Sequence, residues 1–238
     1  MWDIFVRQFV TLDGYKIVLE GLLNTVIIAV FGLILGFILG SIFAVIQTVP
    51  SYKNPVIVFL KKFTDVYIAI FRGTPMVVQL LILHFVLFPA IGLYIPNIII
   101  GDFVIQGVVV EAVIAFALNS AAYISEIMRG GINSVDKGQL EAGRALGLSY
   151  PRTMLKIVIP QAFKNVLPTL GNEFITLIKE TSVTSFIAVT DLTKAFQNIA
   201  NSTYEYIVPY LVLAVFYLVL VILITILVKV LEKRMKNS

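Results

Sequence analysis

Glu173 and Glu180 stand seven residues apart in a segment that is otherwise mostly apolar. On a helix that spacing is two turns, which points both carboxylates the same way, about 10 Å apart. Two acceptors so placed could hold the amino group and the cationic side chain of a basic amino acid. The competing reading is that Lys164 and Lys179 neutralise them. Thr181, Ser182, Thr184 and Ser185 follow directly, and Asn119 and Tyr123, four residues apart, bring polar groups into another apolar stretch. Glu111, Glu126 and Lys179 complete the ionisable groups in or beside such stretches. A charged side chain at mid-depth in a bilayer costs at least about 2.5 kcal/mol, so each of these is a candidate for function. The expected pathway set is Asn119, Tyr123, Glu173, Glu180, Thr181 and Ser182. The polar interruption after Glu180 is the preferred place for a gate, because irregular backbone at membrane depth is tolerated where it lines a cavity.

Other polar groups carry blander expectations. Glu126 lies three residues before Arg129 on one helical face, a spacing for an intrahelical ion pair. Arg72 is expected to anchor to lipid phosphates or a loop carbonyl. His84, the only histidine, lies in an apolar run and is expected to be a neutral ring bonded to a neighbouring helix or near the outer surface. Cysteine is absent, so neither a disulfide framework nor a thiolate metal site is available, and no catalytic or metal-ligating set is expected. Asp3 precedes every basic residue and no short apolar segment with a cleavage site follows, so no removable signal peptide is expected.

The elements that must carry these groups are set by composition. Hydrophobic residues make up 59% of the 238 and mean hydropathy is +0.96, against about 45–50% apolar residues in soluble domains. The expectation is an all-α integral membrane protein forming one domain over residues 1–238, with a polar loop at about 130–160. Windows nearly free of charge run over 21–52, 73–101, 112–125 and 206–228. Since about 20 helical residues cross a bilayer core, three of these suffice alone, and the window at 112–125 needs Phe103 to Val110 joined to it across Glu111. A fifth, more interrupted crossing is expected from Pro160 to Lys179, giving about five in all. Gly32, Gly36 and Gly40, followed by Ser41, form a small-residue stripe for close helix packing. Pro50 and Pro55 break the chain, and Lys61, Lys62, Phe63, Val66, Tyr67 and Ile70 suggest an amphipathic helix on the inner membrane surface. A further span should start near Pro75, with Thr74 as its cap. A short outer loop is expected from Pro89 to Asp102, and an outer amphipathic segment from Asp191 to Asn201.

Lys and Arg collect in three groups: Lys53, Lys61, Lys62 and Arg72; Arg129, Lys137, Arg144, Arg152, Lys156 and Lys164; and Lys229, Lys233, Arg234 and Lys236. By the positive-inside rule the loop and the C-terminus are cytoplasmic and the N-terminus is outside. The net charge of +4 is therefore a topology signal, and no nucleic-acid surface is expected.

Inside the loop, a helical run from Leu140 to Leu146 is ended by Gly147 in the manner of a C-cap, and a second short helix restarts at Ser149 to Pro151. Two short helices joined by Gly147-Leu148-Ser149 make a compact knob. Ala142 and Ala145 are small while Glu141 and Arg144 are charged, a composition that fits a groove on another protein; the alternative is a solvated connector.

The order Glu141-Ala142-Gly143, three residues, Gly147, nine residues, Ile157-Val158-Ile159-Pro160 resembles the E-A-A, G, I-x-L-P loop of permease subunits of bacterial ATP-binding-cassette importers. Gly143 and Ile159 depart from that pattern, and Gly143 should loosen its helix by up to about 1 kcal/mol relative to alanine. Phe71 to Pro75, Tyr123 with Glu126, Arg129 to Ile132, Gly138-Gln139 and Lys179 to Ser182 are similar to the polar amino acid branch, and such landmarks cover roughly residues 15 to 230. The resemblance implies a type I importer fold in the bacterial inner membrane and a path for a polar, even basic, amino acid. It makes Glu141, Ala142, Gly143, Arg144, Ala145 and Gly147 the coupling helix that docks the ATPase. The implied partners are two copies of an ATPase subunit that uses ATP and magnesium, a second permease subunit, identical or homologous, an external or periplasmic amino-acid-binding protein, and membrane lipid. No G-x4-G-K-[ST] segment occurs, so this chain is neither the ATPase nor an enzyme by itself. The rival readings are a secondary transporter driven by an ion gradient, with Glu173, Lys179 and Glu180 as coupling groups, and a membrane scaffold.

Overall fold

The computed structural model of the protein describes residues 1–49, 54–101 and 103–236. Pro50, Lys53 and the end of the expected outer loop at Asp102 lie outside the described residues.

Helix α1, Trp2–Phe5, continues through a wide turn at Val6–Thr11. Helix α2 follows at Gly14–Thr48, 35 residues with almost no charge. Helix α3, Pro55–Gly73, starts where Pro55 takes a first-turn position and the Asn54 side chain accepts from the N–H of Val56. Its axis turns by 110° into Met76–Ala90, made of α4, Met76–Ile82, a wide turn at Leu83–Leu87 and α5, Phe88–Ala90. Thr74 does not cap α4; its hydroxyl donates back to the carbonyl of Ile70 and closes α3. The helical run from Met76 ends at Ala90, next to Pro89, where the outer loop is expected to begin. The β-branched Ile98–Ile100 (β1) pairs antiparallel with Phe103–Ile105 (β2), so Phe103 to Ile105 belongs to a hairpin and does not extend the next helix. That helix, α6, is Gly107–Ser134, its first N–H received by the side-chain oxygen of Asn97.

Helix α7, Lys137–Ala145, is capped by Asp136, whose carboxylate accepts from Gly138 N–H. The second helix of the knob is not short. Tyr150–Thr153 (α8) passes through a wide turn at Met154–Val158 into α9, Ile159–Glu180, with no non-helical residue between them. The wide turn sits just before Pro160, whose missing N–H and bulky ring an ordinary helical turn would not accommodate. After a tight 3-10 segment at Thr181–Ile187 come α10, Leu192–Thr203, and α11, Ile207–Lys236. The amphipathic expectation holds for α10: Leu192, Ala195, Phe196, Ile199 and Ala200 bury one face, and both carboxylate oxygens of Asp191 accept its first N–H groups.

Three helices, α2, α6 and α11, are long and apolar enough to cross a membrane, and the bent pair makes a fourth candidate. The expected fifth, α9, has the length, 22 residues, but its charged residues keep it below the apolarity of a simple span.

The stripe on α2 packs against α6. A Cβ at Gly32 would lie 3.0 Å from Phe116 Cβ, at Gly36 2.7 Å from Ser120 Cβ, and at Gly40 2.9 Å from Ile124 Cβ. Lipid tails are as apolar as the helices, so close backbone approach and dispersion, rather than the hydrophobic effect, join this pair. Around it three buried clusters form: a central one with Phe116, Leu177 and Ile187, one toward the knob with Met128, Ile132 and Met154, and one at the opposite end with Phe9, Leu192 and Phe196. Replacing Gly36 with leucine is expected to destabilise the protein by about 1–3 kcal/mol through overpacking. A lower melting temperature in detergent reports it, and Gly130→Ala, where a new Cβ meets nothing within 4 Å, serves as the unchanged control.

Candidate functional site

The knob is built around one close contact. Gly143 is the only buried residue of α7, because a Cβ there would lie 2.5 Å from Thr153 Cγ2 and 3.2 Å from Ile157 Cδ1. The departure from alanine thus has a packing cause, the tight approach of α7 to α8. Thr153 is fully buried and its hydroxyl donates to the carbonyl of Ser149 at 3.1 Å. Gly147 ends α7 at φ +82°. Its N–H donates to Arg144 and that of Leu148 to Gly143, the paired bonds of a Schellman turn. Glu141, Ala142, Arg144, Ala145 and Gly147 are exposed, and Leu146 stands 82% exposed at the tip. Neither Glu141 nor Arg144 forms an ion pair among the described residues. The knob therefore presents an acid, a base, small residues and one free leucine on a shape fixed from within.

A second feature lies where α3 turns into α4. A cavity of about 340 Å³ is lined by Thr74, Pro75, Met76, Val77, Asn119, Tyr123, Glu180 and Val183, a size fit for a small ligand. Three of the six expected pathway residues, Asn119, Tyr123 and Glu180, meet here. The other three do not line it. Glu173 lies two turns toward the knob, since a shared helical face does not bring both ends of that face to one cavity. Thr181 and Ser182 donate their hydroxyls back to Ile178 and Lys179, and Thr184 and Ser185 do likewise three residues back. They satisfy carbonyls at the end of α9 and in the 3-10 segment and shape the break, and none of them lines the cavity. Neither Lys164 nor Lys179 pairs with Glu173 or Glu180, and Glu180 forms no ion pair or hydrogen bond among the described residues.

Arg72 is not directed to lipid. Its guanidinium lies 5.5 Å from the centre of the Tyr123 ring and 3.7 Å from the Glu126 carboxylate. Glu126 also takes the expected bond from Arg129, in two-pronged form at 2.6 and 3.2 Å. His84 does bond a neighbouring helix, through Nδ1 to the carboxylate of Glu111.

Gln79 escaped the sequence reading. Its side-chain nitrogen donates to Phe71 O at 2.7 Å, Thr74 O at 2.9 Å and Thr74 Oγ1 at 2.8 Å, and its oxygen accepts from Asn119 Nδ2 at 2.8 Å. The available signal was a lone amide within the otherwise apolar Met76–Ile82.

Comparison with known proteins matches residues 21–237 to the family described as binding-protein-dependent transport system inner membrane component. A putative glutamine transport system permease protein of Rickettsia typhi is 40% identical over 218 residues, 92% of each chain. An arginine transport system permease protein of Bacillus subtilis is 38% identical over 228 residues, 96% of each. A crystal structure of an amino acid ABC transporter with histidines superposes with a TM-score of 0.77 at 34% identity, covering 95% of this chain and 98% of that one.

Gly143→Ala should force α7 away from α8 and cost about 1–3 kcal/mol of local stability, visible as faster amide exchange over residues 137–158. Adding Thr153→Ser removes the methyl that the new Cβ meets and should restore most of the protection.

Proposed function

This chain belongs to the family of binding-protein-dependent transport system inner membrane components, and on that premise we propose that it is the membrane-spanning subunit of an ATP-driven amino acid importer, carrying a polar amino acid through the cavity beside Glu180. It works with a separate ATPase and a second permease subunit in a bacterial inner membrane. Two ATPase copies, using ATP and magnesium, draw together and move two knobs, one on each permease subunit. The cargo arrives from an external binding protein. The basic loop and C-terminus lie in the cytoplasm and the N-terminus outside, as the distribution of Lys and Arg supports.

The observation that carries this reading is the knob. A solvated connector would not need an exposed helix whose shape is fixed by Gly143 against Thr153 and closed by a Schellman turn at Gly147. Glu141, Ala142, Arg144, Ala145 and Leu146 are left outward for a groove on the ATPase, in helix-in-groove fashion. A gradient-driven transporter has no use for such a surface.

The cavity supports the choice of cargo. Glu180 and Asn119 place a carboxylate and a carboxamide together at a break between helices, the setting in which transporters hold polar cargo. A carboxylate without an ion partner favours a cationic or donor-rich amino acid, of which arginine, histidine and glutamine are the candidates.

In vesicles reconstituted with its ATPase and an amino-acid-binding protein, Glu141→Lys should reduce ATP-dependent uptake of labelled arginine at least about tenfold, a loss of about 1.4 kcal/mol or more in docking. Uptake that survives the change would overturn the coupling role. Unlabelled arginine, histidine and glutamine should compete better than glutamate; best competition by glutamate would overturn the cargo assignment.

A further inference from the structure

The break between α3 and α4 imposes an orientation on the cavity wall. Pro75 has no N–H, so the carbonyl of Phe71, four residues earlier, loses its helical donor. The Gln79 amide nitrogen takes that place and shares its two hydrogens among Phe71 O, Thr74 O and Thr74 Oγ1. All three are acceptors: two are carbonyls, and the Thr74 hydroxyl has given its proton to Ile70 O at 2.8 Å. Turning the carboxamide over would set an oxygen against three oxygens, so the network itself assigns which end is nitrogen. The Gln79 oxygen is thereby held toward α6, where it accepts from Asn119 Nδ2. Nδ2 spends one of its two hydrogens on Gln79, which fixes the Asn119 carboxamide with Oδ1 at its other end; Asn119 lines the cavity, and no described residue donates to Oδ1.

We propose that Gln79 is a positioning residue that fixes the hydrogen-bonding sign of the cavity, turning the Asn119 carboxamide oxygen inward so that it and Glu180 form an acceptor pair for the N–H groups of the cargo. This rests on the cavity being the cargo site. Gln79 does not touch the cargo. It transmits the geometry of the broken helix to a side chain 40 residues away in sequence. An ammonium or guanidinium group meets two acceptors, whereas a carboxylate meets repulsion from both.

The test is equilibrium binding of labelled arginine to the detergent-purified permease–ATPase complex without binding protein, with displacement by unlabelled glutamate read alongside. Gln79→Leu releases the Asn119 amide to turn either end inward. Its Kd for arginine should rise about tenfold, as for loss of one oriented bond to a charged group, and its preference for arginine over glutamate should narrow. Asn119→Leu should weaken binding as Gln79→Leu does, and the double variant should bind no more weakly than Asn119→Leu alone, because Gln79 acts only through Asn119. A merely structural role for Gln79 lowers the yield of folded complex and leaves the Kd and preference of the folded fraction alone; that result overturns the proposal. So does a double variant whose loss of affinity is the sum of the two single losses. Absence of arginine binding to a wild-type complex that transports glutamine leaves the importer reading standing and overturns this inference, whereas a wild-type complex that transports no amino acid overturns the functional reading itself.

Discussion

A helix may be interrupted in apolar surroundings only if something else bonds the backbone groups it leaves bare. Three interruptions of this chain's helices lie at or next to proline or polar residues, and each is accommodated locally. At Pro75 the Gln79 amide takes the carbonyls of Phe71 and Thr74. After Glu180 the hydroxyls of Thr181, Ser182, Thr184 and Ser185 return to carbonyls three residues back. Before Pro160 the helix widens so that the ring fits. Two of these interruptions border the same cavity, because a break is where side chains from several helices can converge without lipid between them.

Around the breaks the molecule is held by close backbone contact. The glycine stripe of α2 brings that helix against Phe116, Ser120 and Ile124 of α6, and α6 in turn supplies Asn119, Tyr123 and Glu126. Gly143 against Thr153 does for the knob what the stripe does for the spans. In both places the sequence uses the absence of a side chain to set a distance, and dispersion across that short distance is the stabilising term.

Much of the fold was legible because apolar run lengths and capping signals are local. The knob could be read from Glu141, Gly147 and Pro160 by spacing, and α10 from its apolar period. What escaped depended on partners far apart in the chain. Gln79 and Asn119 are 40 residues apart, and nothing local says that they touch. Arg72 reads as a lipid anchor until Tyr123 and Glu126 are beside it. Glu173 and Glu180 share a helical face by periodicity, but periodicity carries no information about where along the helix a cavity opens. The hairpin at Ile98–Ile100 was hidden in an apolar stretch because short buried-looking runs do not separate strand from helix.

The helical path from Tyr150 to Glu180, with no non-helical residue in it, has a mechanical meaning. At about 1.5 Å per residue it is a rod about 46 Å long, with the knob at one tip and the Glu180 carboxylate at the other. A continuous rod has little slack to absorb a push; its weak places are the widened turn at Met154–Val158, next to the tip that would be pushed, and Pro168 in mid-length, which lacks a helical hydrogen bond. On the proposed coupling role of the knob, motion entering there would travel as tilt along this lever and displace the acidic group at the far tip in the same stroke.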